Sequence, residues 1–577
     1  MPKVNALALI LVSSVWTFAV FSAEPSLIFH HGKIVTVDDA FSIQQAIAIE
    51  DGRIVKVGDN ESVLKLAGAA TKSIDLGGKM MLPGLMDSHS HASAACMTEF
   101  DHPVPDMECI ADVLAYIKAR AQVVKEGGWI VVQQVFITRL REMRYPTRAE
   151  LDDAAPKHAV LYRTGPDAAV NTLAMKLSGI DKDFVVKDGG AGFVEKDPAT
   201  GEPTGILRNL LRFVKNESPQ KPPTQDEHVR RLVEMVRDYN SVGITGIGER
   251  DANLDAVECY KKIRDEGTLS ARVAISFDIR NFGPLEDILT SIRNVAEDPL
   301  FKQKDPHLRI VGIKTYLDGG MLTGSAYMLK PWGVSKLYGI ADPAYRGTLY
   351  LPPERLLPMV RTATECGLQF IAHSVGDGAV QALLDAYTEI DKERPIRALR
   401  PCVTHSNFMS KESVLQAAKL GAVLDIQPVW LYLDTRALMN QFGYERLRYF
   451  QPLHSIFEAG GIAGGGSDHM QKMGSFRAIN PYNPFLGMQT AITRKAKWHD
   501  GALHPEEALT REQSIRFYTR NNAYILFCED ITGSLEAGKR ADLIVLDKDL
   551  LTCPAEDISK TNVLETYLDG KRVYERK

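Results

Sequence analysis

The chain has 577 residues, of which 45% are hydrophobic and 24% charged, and its formal net charge is −5. This composition is typical of a large globular protein and excludes a small disulfide-stapled domain. The weak charge and the lack of a Lys/Arg-rich stripe with interleaved aromatic residues exclude a nucleic-acid partner.

The first residues differ from the rest of the chain. Lys3 precedes an apolar run from Ala6 to Phe21, and the small residue Ala23 follows. A basic start, an apolar core and a small-residue end are typical of a secretory signal peptide. We expect residues 1–23 to be such a peptide and the mature chain to be exported, periplasmic or secreted, without a stable membrane span. The alternative is an uncleaved anchor, for which the run is short.

Short strands are predicted at both ends of the chain. Residues 45–58 alternate apolar and polar positions around Asp51-Gly52, a dipeptide typical of a hairpin turn. Residues 541–547 and 562–574 also have strand character. Neither end has enough residues to enclose a core, so we expect the two ends to combine in one small β-sandwich.

The central part alternates apolar, β-branched runs with amphipathic helical segments. Eight strands in such an alternation favour an α/β fold, a (β/α)8 TIM barrel, over an open sheet. The predicted barrel strands are residues 80–86, 243–248, 272–278, 308–316, 368–372, 401–404, 422–426 and 461–466.

About 150 residues separate the first two of these strands, too many for one helix and its loops. We therefore predict an inserted subdomain at about residues 97–240 that covers part of the barrel mouth. The predicted barrel domain then spans residues 80–520. The predicted β-sandwich consists of residues 24–79 and 521–577.

Chemically active side chains occur where the predicted barrel strands end. This edge carries the chemistry in barrel enzymes. His89 and His91 follow the first strand, and residues two apart on a strand face the same side. Two imidazoles held in this way suit a divalent metal such as zinc. The other candidates are Lys314 in the fourth strand, His373 after the fifth, His405 after the sixth and Asp468 after the eighth.

Each of these residues alone has a structural explanation. A strand-end histidine can simply be hydrogen-bonded, and Asp468 could cap a helix or a turn. Lys314 is harder to explain, because an unpaired ammonium inside an apolar strand is costly. It must be paired, neutral or chemically changed. The coincidence of all six residues at one end of one barrel favours a metal site.

The motifs around these residues resemble those of the amidohydrolase superfamily, specifically the amidohydrolase-3 branch, whose members include N-substituted formamide deformylases. The resemblance covers essentially everything after the leader. The matching motifs are Pro-Gly-x-x-Asp-x-His-x-His at residues 83–91, Lys-x-x-x-Asp-Gly at 314–319, His-x-x-Gly-Asp at 373–377, Gly-Ser-Asp at 466–468 and the closing segment 532–547.

The resemblance implies one or two divalent metal ions, with zinc as the expected metal. In the two-metal form a carbamate on Lys314, formed with carbon dioxide, bridges the ions. In the one-metal form Lys314 is unmodified and the ligands are His89, His91, His373 and Asp468. The two-metal form would place His89, His91 and Asp468 on one ion and His373 and His405 on the other.

The resemblance also implies hydrolysis of a non-peptide C–N bond in a small-molecule substrate: an amide, N-formyl or N-acyl group. A metal-activated hydroxide would attack the carbonyl carbon. Asp468 would act as general base and then acid, and His405 would help to hold the oxyanion. The alternatives are ester, lactone or carbamate hydrolysis at the same site and a catalytically inactive scaffold. The chain could also form a homodimer.

The surroundings of the ligands resemble the family less closely. Thr404-His405-Ser406-Asn407 stands where relatives commonly have Glu-His-Ala-Gln, and His469-Met470 follows Asp468 where an apolar residue and proline are usual. The resemblance therefore does not define the pocket or the substrate. Candidate substrate contacts are His469, Arg163, Tyr327, Trp332 and Trp430. His469 could equally be a solvent-facing loop residue, and aromatic residues at such positions more often serve packing.

Overall fold

A computed structural model describes residues 24–216 and 222–577. The predicted signal peptide at residues 1–23 lies outside this part of the chain. The chain begins with the strands β1 to β7 and the short helix α1, which precede the barrel. Their bounds are β1 Leu27–His30, β2 Lys33–Val35, β3 Ile43–Gln44, β4 Ala46–Glu50, β5 Arg53–Gly58, α1 Asn60–Leu64, β6 Lys72–Asp75 and β7 Met80–Pro83.

The next segment contains the first barrel strand and the elements inserted after it. These elements are β8 Leu85–Ser90, α2 Ala92–Ala95, α3 Ile110–Ala121, β9 Trp129–Val132, α4 Arg148–Ala154, β10 Ala159–Thr164, β11 Asp167–Val170, α5 Thr172–Ser178, β12 Phe193–Lys196 and β13 Pro203–Arg208.

The rest of the barrel and the C-terminal strands follow. The elements are α6 Gln225–Ser241, β14 Ile244–Ala252, α7 Leu254–Asp265, β15 Arg272–Asp278, α8 Leu285–Glu297, α9 Pro299–Lys302, β16 Leu308–Tyr316, α10 Pro353–Glu365, β17 Gln369–Ser374, α11 Asp377–Glu393, β18 Cys402–His405, α12 Lys411–Leu420, β19 Val423–Ile426, α13 Pro428–Arg446, α14 Leu453–Glu458, β20 Ile462–Gly465, α15 Pro484–Thr493, α16 Arg511–Tyr518, α17 Arg520–Ile525, β21 Leu543–Leu546, β22 Val563–Leu568 and β23 Lys571–Glu575.

Eight parallel strands form the central sheet, in the order β8-β14-β15-β16-β17-β18-β19-β20. The last strand returns to the first just beyond β20. There the backbone N–H of Asp468 donates to the carbonyl of His89 at 2.8 Å, and the N–H of His91 donates to the carbonyl of His469 at 2.8 Å. The result is a mixed α/β fold whose barrel-like sheet fits the predicted TIM barrel.

The predicted first strand, residues 80–86, is wrong in its extent. Residues Met80–Pro83 form β7, which pairs with β2 and β21 outside the barrel, and the barrel strand begins at Leu85. Gly84 lies between the two strands. A larger residue would not fit there, because a Cβ would lie 2.0 Å from Oγ1 of Thr245. The barrel strand therefore runs on to Ser90 and contains His89.

Strands from both chain ends form two further sheets, ordered β5-β4-β1-β6 and β23-β22-β21-β7-β2-β3. The predicted turn at Asp51-Gly52 is confirmed: both residues have positive φ, and Glu50 pairs with Arg53. The two sheets share one buried apolar cluster, which includes Phe29, Ile47, Ile49, Met81, Leu543, Val545 and Tyr567.

A buried ion-pair network connects the C-terminal strands to the barrel. Arg272, at the start of β15, donates to both carboxylate oxygens of Asp542, at 2.7 and 2.9 Å, and to Asp569 at 2.6 Å. His307, just before β16, lies 2.6 Å from the other oxygen of Asp569. The contacts fix the N-terminal end of the barrel, opposite the strand ends that carry the candidate ligands.

A five-stranded sheet, β12-β13-β11-β10-β9, lies in the chain between β8 and β14. Its Arg208 is fully buried against Asp167 at 3.2 Å and also donates to the carbonyl of Thr323 at 2.6 Å. Because Thr323 belongs to the loop after β16, this network fixes the inserted sheet against the barrel mouth. The hairpin between β10 and β11 turns at Gly165, where φ is +69°.

Two further findings concern the chain as a whole. In residues 24–216 and 222–577, no helix is long and apolar enough to cross a bilayer. All seven cysteines are free thiols, and four of them are buried, as expected for a core that needs no disulfides.

Candidate metal centre

One cavity of about 770 Å³ opens at the C-terminal ends of the barrel strands. Its size suits a small organic molecule. The structure brings all six predicted ligands to its wall, although they come from five strands and nearly 400 positions of sequence. They are His89, His91, Lys314, His373, His405 and Asp468.

His89, His91 and Asp468 form the tightest cluster of these residues. Nε2 of His89 and Nε2 of His91 lie 3.2 and 3.1 Å from the same oxygen, Oδ1 of Asp468. The three ligand atoms lie within 4.8 Å of one another. Nε2 of His89 is also buried without a hydrogen-bond partner among the described residues. Two imidazole nitrogens and a carboxylate at this spacing fit a divalent metal ion.

The other ring nitrogen of each of these histidines is already engaged. Nδ1 of His89 lies 3.1 Å from Oδ2 of Asp425, and Nδ1 of His91 donates to the carbonyl of Arg250 at 2.9 Å. A proton held at Nδ1 leaves the Nε2 lone pair free to bind a metal. The tautomer required for metal binding is therefore built into the fold.

His373 and His405 lie beside this cluster. The ring centroid of His405 is 4.8 Å from that of His89 and 4.6 Å from that of His373. Burial, together with the charge of Lys314, lowers the pKa of His373 to about 3, and burial beside His373 lowers that of His405 well below its usual value. Both rings are therefore neutral at physiological pH, the state in which histidine binds a metal. Nδ1 of His405 is 2.7 Å from Oε1 of Gln427, so its Nε2 is left free.

Asp468 is held as a carboxylate. Burial alone would raise its pKa, but the adjacent His89 and His91 side chains keep the pKa well below its usual range. Nδ2 of Asn480 donates to Oδ2 at 3.1 Å and fixes the orientation of the group. The residue has φ +54°, a left-handed conformation that is uncommon outside glycine and collects at functional sites.

Lys314 is 1% exposed, inside β16. Desolvation lowers its pKa, an effect that Asp251, Asp468 and Asp425 oppose. Nζ lies 4.1 Å from the ring centroid of Tyr316 and forms no ion pair within residues 24–216 and 222–577. This environment disfavours a positive charge, which agrees with the sequence-based argument that the residue is not an ordinary ammonium.

The sequence analysis missed Asp425, Gln427 and Asp87. Asp425 is fully buried in β19, and the argument used for Lys314, a charge inside an apolar strand, could have found it. Asp87 accepts hydrogen bonds from the N–H and hydroxyl of Ser467, at 3.0 and 2.5 Å, and so connects the first barrel strand to the eighth. Its place in the first motif is therefore explained by barrel closure.

Among the predicted substrate contacts, Arg163 and Trp430 line the cavity. Trp430 stacks on His405, with ring centroids 4.8 Å apart. The other three, His469, Tyr327 and Trp332, are absent from the described wall of the cavity.

The positions of these three residues do not support a substrate contact. His469 is fully buried: the Tyr239 hydroxyl donates to its Nδ1 at 2.6 Å, and its Nε2 donates to the carbonyl of Lys472 at 2.8 Å. The backbone of Tyr327 bonds to Asp318 and to the first turn of α11, and the indole of Trp332 donates to the carbonyl of Ala326. All three stabilise loops around the cavity.

A parallel barrel with histidines and an aspartate gathered at its strand ends defines the class of metal-dependent barrel hydrolases. Comparison with known sequences narrows this class. The chain belongs to the amidohydrolase family, whose sequence model matches residues 72–574.

Individual relatives agree with this assignment. The chain is 27% identical over 562 residues to N-substituted formamide deformylase of Arthrobacter pascens, covering 95% of this chain and 98% of the relative. It is 25% identical over 563 residues to the putative amidohydrolase YtcJ of Bacillus subtilis, covering 95% and 99%. A solved structure, an uncharacterized metal-dependent hydrolase from Pyrococcus furiosus, has the same fold, with a TM-score of 0.64, 22% identity and coverage of 91% and 100%. The predicted family is confirmed, and with it the prediction of an amidohydrolase.

Proposed function

We propose that the chain hydrolyses a non-peptide C–N bond of a small molecule: an amide, N-formyl or N-acyl group. One observation carries this proposal: Nε2 of His89 and Nε2 of His91 point at the same oxygen of Asp468, at 3.2 and 3.1 Å, while their Nδ1 atoms are engaged elsewhere. The name of the Arthrobacter relative, which covers almost the whole chain, supports the N-formyl group as the first candidate.

The residues that would hold the metal are those at the cavity wall. His89, His91 and Asp468 would bind one ion, and His373 and His405 a second, with zinc as the proposed metal. Lys314 would bridge the two as a carbamate, which replaces a costly buried cation by an anion. When bound, a divalent ion supplies a Lewis acid and lowers the pKa of water toward about 7.

Asp468 would move the proton in both halves of the reaction. Its carboxylate takes a proton from the attacking water as the water oxygen bonds to the carbonyl carbon. It then gives this proton to the nitrogen as the C–N bond breaks, so that the products are a carboxylic acid and an amine. Asn480 holds Oδ2 during the transfer, and the Trp430 ring keeps His405 in place at the oxyanion side.

The terminal sheets and the insert would have separate tasks in this proposal. We infer that residues 24–79 and 521–577 form a β-sandwich that stabilises the barrel from below, a division supported by their common apolar cluster. The insert at about 97–240 would form the wall that faces the substrate, because it contributes Gln133, Phe136 and Arg163 to the cavity.

The test is hydrolysis by the zinc-loaded or manganese-loaded protein of a panel of N-formyl and N-acyl amines, esters and lactones, with products separated by chromatography. We expect release of amine and acid from the amides and a loss of about 100-fold or more in Asp468→Asn. Metal content is measured in the same samples. A metal-loaded protein that cleaves none of the amides would overturn the proposal, and cleavage of esters or lactones alone would replace it with the rival activity.

A further inference from the structure

Arg163 lies in the inserted sheet, near the end of β10, and its guanidinium faces the cavity. Nη1 donates to Oε1 of Gln133 at 3.3 Å. Nε is buried and has no hydrogen-bond partner among the described residues. In the same part of the chain, the guanidinium makes no other side-chain hydrogen bond than the one from Nη1. One edge of the guanidinium, formed by Nε and Nη2, is therefore left with two unused N–H donors.

Arg163 also forms no ion pair within residues 24–216 and 222–577. Burial lowers the pKa of Arg163, and of the described residues only Tyr316 acts against this effect, with no carboxylate contributing. A buried cation without a counter-ion is costly, and the cost is relieved when an anion binds. The residue is thus unsatisfied both in its hydrogen bonds and in its charge.

The other guanidinium groups at the cavity wall are paired. Arg212 donates from Nε and Nη2 to the two oxygens of Asp188, at 2.6 and 3.1 Å, and Arg250 lies 3.5 Å from Asp425. In the part of the chain that the structure describes, these two arginines therefore have a carboxylate partner and Arg163 has none. The unused edge therefore calls for an anion that comes from outside the chain.

Arg163 and the candidate metal ligands line the same cavity. Tyr316, which contributes to the electrostatics of Arg163, has its ring centroid 5.2 Å from that of His373 and 4.1 Å from Nζ of Lys314. A molecule with its carbonyl at Asp468 and His405 would therefore share the cavity with the guanidinium. The cavity wall also includes the apolar side chains of Phe136, Met321 and Leu322.

We propose that Arg163 binds a carboxylate of the substrate, so that the substrate is an N-formyl or N-acyl amino acid, or a similar amide that carries a carboxylate and an apolar side chain. A single guanidinium edge with two parallel N–H groups matches a carboxylate in a bidentate manner. The proposal rests on the proposed amide hydrolysis and names its substrate class.

The first test compares two substrates that differ only in the carboxylate: N-formylphenylalanine, as both enantiomers, and N-formyl-2-phenylethylamine. With the metal-loaded protein we expect kcat/KM to be about 10- to 100-fold higher for the preferred enantiomer than for the neutral amide, the range for a hydrogen-bonded charge. Arg163→Met should abolish this preference, with the loss appearing as a higher KM for the anionic substrate. Arg163→Lys should restore part of it.

Arg212→Met is the matched control, because it removes an equally large cation from the same wall where the charge is already paired. This variant should keep the preference for the carboxylate. Thermal unfolding of each variant establishes that the fold is retained. If the wild-type protein hydrolyses the neutral and the anionic amide with equal kcat/KM, the carboxylate site is overturned while the proposed amide hydrolysis stands.

A binding measurement separates the two proposals if neither compound is hydrolysed. Calorimetric titration of the metal-loaded protein with 3-phenylpropionate, and with 3-phenylpropan-1-ol as the neutral probe, needs no turnover. The carboxylate site is supported if binding of the acid weakens about 10-fold or more in Arg163→Met and persists in Arg212→Met. This result would stand even where amide hydrolysis has failed. Equal binding of the acid by all three proteins overturns the site.

Discussion

Oδ2 of Asp425 lies 3.1 Å from Nδ1 of His89, across the interior of the barrel from β19 to β8. Both residues are fully buried, and Nε2 of Gln427 donates to the other oxygen of Asp425 at 2.7 Å. The carboxylate therefore has a fixed position, and it fixes the imidazole in turn. The direction in which His89 presents Nε2 depends on a residue more than 300 positions away.

This relationship predicts that Asp425→Asn weakens metal binding without removing a ligand. Loss of a carboxylate behind a metal-binding histidine typically costs about 10- to 100-fold in affinity. Competition with a chromophoric chelator measures the effect. Ser88→Ala is the control, because the Ser88 hydroxyl contacts the same carboxylate only at 3.4 Å. Equal affinity in Asp425→Asn and wild type would show that the contact does not tune the metal.

Lys314 gives a second prediction. If a carbamate on Lys314 bridges two ions, Lys314→Met should lower the metal content from two ions per chain toward one and remove most of the activity. Lys314→Glu, which supplies a carboxylate at the same position, should keep more metal than Lys314→Met. Elemental analysis after dialysis measures the content. Unchanged metal and activity in Lys314→Met would exclude the bridging role.

The ion-pair network below the barrel predicts a large effect on stability. Arg272→Met leaves Asp542 buried without its partner and should lower the free energy of unfolding by about 3–5 kcal/mol. Arg572→Met, which breaks the exposed pair with Glu565, should cost about 1 kcal/mol or less. Denaturant unfolding measures both. Similar losses in the two variants would contradict the importance of burial at Arg272.

Asp569 predicts a dependence of stability on pH. Although burial opposes the shift, hydrogen bonding to His307 and the charge of Arg272 hold the pKa of Asp569 well below its usual range. A carboxylate whose pKa is lower in the folded state stabilises the protein above its unfolded value, about 3.9, and this stabilisation is lost as the pH falls through the folded value. The difference in unfolding free energy between wild type and Asp569→Asn should therefore shrink as the pH falls from about 5 toward 3. A constant difference over this range would refute the assignment.

Much of the barrel could be predicted because its strands are local patterns. Residues 272–278 and 308–316 coincide with β15 and β16, since a buried parallel strand is a continuous apolar run whatever its neighbours are. The grouping of the candidate ligands could be predicted for a similar reason: parallel strands of one barrel end at the same edge, which brings His373 and His405 together.

The predictions that failed concern contacts between residues that are distant in sequence. Nothing in residues 80–86 shows that the first half pairs with β21, so the run was predicted as one strand. His469 follows a ligand and suggested a substrate contact, but Tyr239, 230 positions earlier, engages its ring. Arg163 lines the cavity, but only its contacts in the folded chain show that no carboxylate of the described residues acts on it.

The direct connection from β7 to β8 through Gly84 affects the order in which the sheets can form during synthesis. β7 leads directly into the strand that carries His89, and its antiparallel partner is β21 at Leu543–Leu546. On the ribosome, β7 must wait for nearly the whole polypeptide before its antiparallel ladder with β21 can form, whereas β8 can pair with β14 much earlier. A nascent chain released before residue 543 would carry every candidate ligand and still lack the antiparallel partner of the strand that leads into β8.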